Sequence, residues 1–442
     1  MSTDSLIAWL RANAIPLHHL QAGHRSDDLQ RLKSVFADAA IIGMGEATHG
    51  TREFVEVRHR LLEFLATEMR FNTLMIEASD SDMRAVNEYV LNGTGDLAEV
   101  LSACGTLMWD TEEFSATLEW IRNYNRSVGD DRRIRLYGMD IWPNRCARAR
   151  VLQYLERTAP ERVRTTQDLF ESLAAQEAIW PAIAADPNNE GTIKELLPRL
   201  RELLAWLQEN ERALVHRSSA SEFAQARASL GHMEHWMMAN ITEFVPAEFP
   251  EEQGPKNLVR SRYMAENVRN RMESSPPGTR IVVWAHNYHL EIGLETAAIS
   301  DIPNMGSYLK EWYGKRYYSL GLEFNRGAYL AREGLPEFRL GDFKTGEFES
   351  SREGSLPHQL AVAGIGDFLL DLHAPVSHEE VKAWLSSKQA VHSVSWFYKD
   401  PERSYTEITV GKRRDGILFV SQVTATRPTA GALAAAAARV GL

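Results

Sequence analysis

Residues Ala40–Thr51 read AIIGMGEATHGT, and this stretch decides how the rest of the chain is read. Ile41 and Ile42 suit a short buried strand, which Gly43 and Gly45 interrupt before Glu46, Thr48 and His49 follow. Open α/β sheets place their chemistry at the carboxyl ends of the strands. Glycine there permits positive φ or the close approach of another group. Histidine titrates near neutral pH, so His49 is a candidate proton acceptor, with the Glu46 carboxylate close by. A plainer reading is a strand-to-helix turn, with Thr48 as its cap and His49 merely exposed.

Outward from that stretch the periodicity alternates. Arg52–Met69 carries Phe54, Val57, Leu61, Leu62 and Leu65 on one side and reads as a helix. Phe71–Glu77 (FNTLMIE) reads as a second strand ending on Glu77. Strand, helix and strand at this spacing predict a right-handed crossover with parallel strands. Helices are expected over Ser5–Ala14, ended by Pro16, and over Asp27–Ala39, Asp82–Leu91 and Thr111–Asn125. Ile134–Tyr137 is a third strand, running into Gly138–Asp140. Arg280–Trp284 (RIVVW) is a fourth, followed at once by AHNYH with His286 and His289. Tyr317–Leu322 and Ile417–Val420 complete the strands, with a hairpin expected near residues 325–330 and a helix or frayed tail at Ala430–Val440.

Between about Ala147 and Phe244 the pattern is helical throughout, with Ile193, Leu196, Leu197, Leu200, Leu204 and Leu207 forming an apolar stripe. The predicted organisation is therefore an α/β core from residues 1–146 and 246–442. A helical insertion, residues 147–245, packs over the site. The fold class is a three-layer α/β core with a mostly parallel mixed sheet.

Composition narrows the partners. A net charge of −11 argues against nucleic acid or an anionic membrane surface. Two cysteines, Cys104 and Cys146, cannot build a disulfide framework and point to a reducing compartment. The amino terminus lacks the pattern of a secretory signal. No apolar run approaches the ~20 residues that cross a bilayer. A cytoplasmic monomer acting on a small molecule is expected.

Several chemistries lack their motifs. No GxSxG elbow, HExxH, Walker sequence or GxGxxG is present. His232 and His235 share a helix, but their Met and Trp neighbours favour packing over metal binding. The residues that remain are Glu46, His49, Glu77, Asp140, His286 and His289, all at strand ends. They leave two chemistries open: water activation by a histidine base, or a divalent metal held by histidine and carboxylate.

GEATHG at Gly45–Gly50, MIEA around Glu77, GMD at Gly138–Asp140, WAHNYH at Trp284–His289 and RYYSLG at Arg316–Gly321 together resemble the erythromycin esterase family. The resemblance runs from about Asp27 to Thr424. It implies hydrolysis of the lactone ester of a 14-membered macrolide such as erythromycin, with His49 as the general base. It implies catalytic roles for Glu46, Glu77 and His286, and substrate-binding roles for Arg58, Arg260 and His289. Arg260 is chosen over Arg262 in VRSRYMAENV, where Ser261 replaces the family's usual aspartate. No cofactor is implied, with a divalent metal left open. The alternatives are an esterase for another ester, or a metal- or haem-binding relative.

Overall fold

The computed structural model of the protein describes residues 3–104, 108–141, 145–178, 190–241, 255–293, 303–334, 340–394, 400 and 404–434. In chain order its strands are β1 (Ile15–Pro16), β2 (Ile41–Met44), β3 (Thr73–Ser79), β4 (Arg135–Asp140), β5 (Ile281–Trp284) and β6 (Tyr317–Gly334). They continue with β7 (Leu340–Phe348), β8 (Phe368–Asp371), β9 (Lys388–His392), β10 (Tyr405–Thr409) and β11 (Gly416–Val423). Nine of them form one sheet in the order β1-β8-β11-β6-β2-β5-β3-β4, with β7 paired to β6; β9 and β10 form a separate ribbon. From β11 to β4 all neighbours are parallel, while β1, β8 and β7 join antiparallel.

Strand alternation builds the layers. Ile42, Leu74 and Val282 face one side of the sheet, where they pack with Phe54, Val57, Leu61, Leu62 and Leu65 of the Arg52–Met69 helix. Ile41, Met75, Ile281 and Val283 face the other side and pack with Met264, Ala265 and Val268 of the Pro255–Ser274 helix. The result is a three-layer α/β fold with a mostly parallel mixed sheet. The helices Arg145–Thr158, Val163–Ala178, Ile193–Glu209, Glu211–Arg217 and Ala220–Ala239 have an apolar cluster of their own, which includes most of the Ile193–Leu207 stripe. The Ala220–Ala239 helix also packs against Pro255–Ser274.

Several local expectations change. The Asp27–Ala39 segment forms a 3-10 turn (Asp27–Leu29) and a short helix (Leu32–Val35) instead of one helix. Pro16 sits in β1. β6 runs unbroken through residues 325–330 and pairs antiparallel with β7, so no turn falls there. β2 and β3 are parallel as expected, but β5 lies between them. Residues 430–434 are helical, while the rest of the alanine run and Phe244 lie outside the described residues. No helix among the described residues is long and apolar enough to cross a membrane.

Candidate active site

Four parallel strands deliver the candidate residues from their carboxyl ends. After β2 the chain passes through Glu46 and His49 before entering the Arg52–Met69 helix. The cap of that helix is Thr51, not Thr48, whose Oγ1 instead accepts from the Gly50 amide. The glycines serve close approach: none of Gly43, Gly45 and Gly50 has positive φ. A Cβ on Gly45 would stand 2.0 Å from Asn287 Oδ1. That asparagine ties the loops together, because its side chain bonds both backbone polar groups of Leu322 and its amide donates to Glu46 O at 2.8 Å.

His49 is buried, with 8% exposure. Its Nδ1 lies 2.8 Å from Glu46 Oε1, so Nδ1 carries the proton and donates. Nε2 bonds to nothing among the described residues and is not one of the fully buried polar atoms. Burial would lower the His49 pKa, but the Glu46 hydrogen bond and the Glu77 and Glu46 charges outweigh it and hold it above 6.5. For Glu46, burial pushes upward, but Arg58 and His49 hold it below the ordinary carboxylate value.

Arg58, read from the sequence as a substrate-binding residue, has 0% exposure and lies beneath Glu46, with Nη2 2.7 Å from Oε2. Its guanidinium sits 4.9 Å from the Trp284 ring centroid and 5.8 Å from that of Trp109. The geometry makes Arg58 the group that aims Glu46.

Glu77, from β3, is the second hub. Oε1 accepts from Arg260 Nη2 at 3.0 Å and lies 3.2 Å from His289 Nε2, while Oε2 accepts from the His286 amide at 2.9 Å. Burial would raise its pKa, but His289, His49 and Arg260 hold it well below the ordinary carboxylate value. Arg260 also grips Asp140, at the end of β4, through bonds of 2.9 and 2.5 Å. Arg262 points away and pairs with Glu266, with 64% of its side chain exposed. His289 Nδ1 is buried without a partner.

His286 follows β5, and its ring centroid is 5.3 Å from that of His49. Both of its nitrogens are occupied by backbone. Nδ1 accepts from the Tyr288 amide at 3.2 Å, and Nε2–H is shared between Val394 O at 3.1 Å and Ala47 O at 3.3 Å. Burial, helped by His49, pushes its pKa down to about 4. The ring is therefore neutral, and it has no free nitrogen for proton transfer.

The structure thus gathers Glu46, His49, Glu77, His286, His289, Arg58, Arg260 and Asp140 into one centre. The sequence reading missed Trp109, whose Nε1–H donates to Glu77 O at 3.0 Å, and Val394, whose amide donates to Ala47 O at 2.9 Å. Neither carries a local motif. Asn287 stands inside WAHNYH and was open to recognition from its place there. His235 stacks on Tyr263, with ring centroids 3.8 Å apart. Among the described residues no group of three or more His, Cys, Asp or Glu side chains is arranged to hold a metal ion.

Fold and site together define an α/β protein with a histidine–carboxylate–arginine centre at its strand ends. The chain belongs to the erythromycin esterase family, whose sequence profile matches residues 66–423. It is 26% identical over 341 residues to YbfO of Bacillus subtilis (strain 168), named as a hydrolase, covering 73% of this chain and 72% of that protein. It is 24% identical over 377 residues to the erythromycin esterase type II of Escherichia coli, covering 81% of this chain and 86% of that one. A crystal structure of a Bacillus cereus protein superposes with a TM-score of 0.78 at 24% identity, covering 97% of this chain and 100% of that one. Family membership and these relatives support ester hydrolysis as the class of activity.

Proposed function

We propose that this protein is a metal-independent esterase that opens the lactone ester of a 14-membered macrolide such as erythromycin, with His49 as general base. The observation that carries the reading is the His49 ring itself. Its Nδ1–H is fixed on Glu46, its Nε2 is unbonded, and two carboxylates stand ready to stabilise its charged form. Nε2 takes a proton from water as the water oxygen attacks the ester carbonyl. The imidazolium that forms is stabilised by Glu46 and Glu77. Collapse of the tetrahedral intermediate breaks the ring C–O bond, and the same proton passes to the departing alkoxide. General-base help of this kind contributes about 10²–10⁴-fold.

The neutral His286 suits this cycle, because a charged neighbour would oppose the imidazolium. Arg260 retains 17% side-chain exposure, so it is the arginine of the centre placed to meet substrate or the developing oxyanion, beside His289. The Glu46 and Glu77 oxygens are already taken by Arg58, His49, Arg260, His289 and the His286 amide, and the proposed cycle needs no cation. The helical stretch at residues 147–245 is proposed to supply the wall that selects the substrate. Mass spectrometry of erythromycin incubated with the protein tests the reading. A product heavier by one water supports it. An unchanged macrolide beside turnover of a simple ester would keep the esterase and remove this substrate.

A further inference from the structure

A second histidine–carboxylate–arginine group lies deeper in the sheet. Glu323 of β6 accepts from Arg414 Nη1 at 2.8 Å through Oε1, and from both the amide (3.3 Å) and Nδ1 (3.2 Å) of His392 through Oε2. Arg414 reaches on to Glu291, at 2.9 Å, just beyond the His289 segment. Gly321 leaves it the room, since a Cβ there would stand 2.4 Å from Arg414 Cδ. The side chains of His392 and Glu323 are wholly buried, so this group cannot meet a substrate.

Its place in the chain indicates what it does. His392 ends β9, and two residues later Val394 makes the backbone contacts of the catalytic loop: its amide donates to Ala47 O, and its carbonyl receives Nε2–H of His286. Ala47 lies between Glu46 and His49. Glu323 therefore grips one end of a short arm whose other end holds both the His49 loop and the His286 ring.

We propose that Glu323, acting through His392, is a positioning residue that fixes the Val394 arm against Ala47 and His286 and so sets the aim of His49. The proposal rests on His49 being the base, but the arm's effect on the rings can be read without substrate. Small misplacements of reacting groups cost rate far more than binding. The hydrogen bond through Nδ1, and not the bulk of the ring, is the working feature.

His392→Asn keeps an N–H donor close to the Nδ1 position but empties part of the aromatic box formed with Phe324, Phe348 and Tyr405. His392→Leu fills the box and removes the donor. In variants that melt cooperatively, kcat on erythromycin is expected to fall about 10- to 100-fold for His392→Leu and Glu323→Gln, with KM nearly unchanged. His392→Asn should retain most of kcat. The imidazole ¹⁵N resonances of His286 and His49 in the substrate-free protein should move in Leu and Gln but stay close to wild type in Asn. Unmoved ¹⁵N resonances in folded Glu323→Gln overturn the proposal, as does a His392→Leu enzyme at least as active as His392→Asn. A wild-type protein inert to erythromycin would instead count against the substrate reading, with the ¹⁵N shifts still deciding the role of the arm.

Discussion

Two trios in this molecule share one composition and differ in everything that turns such a group into a site. His49, Glu46 and Arg58 are joined by bonds of 2.8 and 2.7 Å. His392, Glu323 and Arg414 are joined by bonds of 3.2 and 2.8 Å. The His49 ring keeps one unbonded nitrogen that is not fully buried, whereas His392 Nε2 is sealed among aromatic rings. A further carboxylate, Glu77, adds to the field that favours proton uptake at His49. The arginines differ too. Glu46 is the carboxylate bonded to Arg58, whose pKa burial pushes down, whereas Arg414 bridges two carboxylates that together raise its own against burial. The comparison teaches that an oriented histidine is not enough: what separates the two trios is an accessible ring nitrogen.

The largest expected effect falls on the open trio. His49→Ala should cost about 10²–10⁴-fold in turnover, while circular dichroism and the unfolding transition show an intact fold. Turnover retained in folded His49→Ala would dissolve the distinction between the trios. Next, Glu46→Ala leaves Arg58 buried between tryptophans without its carboxylate, for which a loss of about 3–5 kcal/mol is expected in urea unfolding. Glu323→Ala leaves Arg414 its Glu291 partner and should cost less; equal losses would show that the second carboxylate does not compensate. Gly45→Ala forces a Cβ onto Asn287 and should cost about 1–3 kcal/mol through overpacking. Arg262→Ala, at the exposed Glu266 pair, should stay within about 0.5 kcal/mol of wild type and keep its activity.

The open trio was legible in the sequence and the sealed one was not, for a physical reason. Glu46 and His49 lie on one strand-to-helix passage, so local pattern places them together, and the family resemblance adds Arg58 from the helix that follows. The same logic found Glu77, Asp140 and His286, each ending an apolar run. His392 and Arg414 meet Glu323 from 69 and 91 residues away, a closeness that only tertiary pairing creates. β7 and β10 were missed because their segments, LGDFKTGEF and YTEIT, mix charge with apolar residues as edge strands do. The sequence, through the family resemblance, chose Arg260 over Arg262, and the structure puts Arg260 on Glu77 and Asp140. It could not tell that Arg58 would be buried beneath Glu46, because a helix periodicity does not reveal which polar residue is sealed.

The pH dependence of kcat/KM on erythromycin tests the central claim most directly. His49 must be neutral to accept a proton, and its surroundings raise its pKa, so activity should be lost as pH falls through a midpoint above 6.5. Glu46→Gln removes a charge that raises that pKa, while its amide oxygen can still accept from Nδ1–H, and should move the limb to lower pH in whatever activity remains. A wild-type acid limb below 6.5, or a limb unmoved by Glu46→Gln, would contradict His49 as the base.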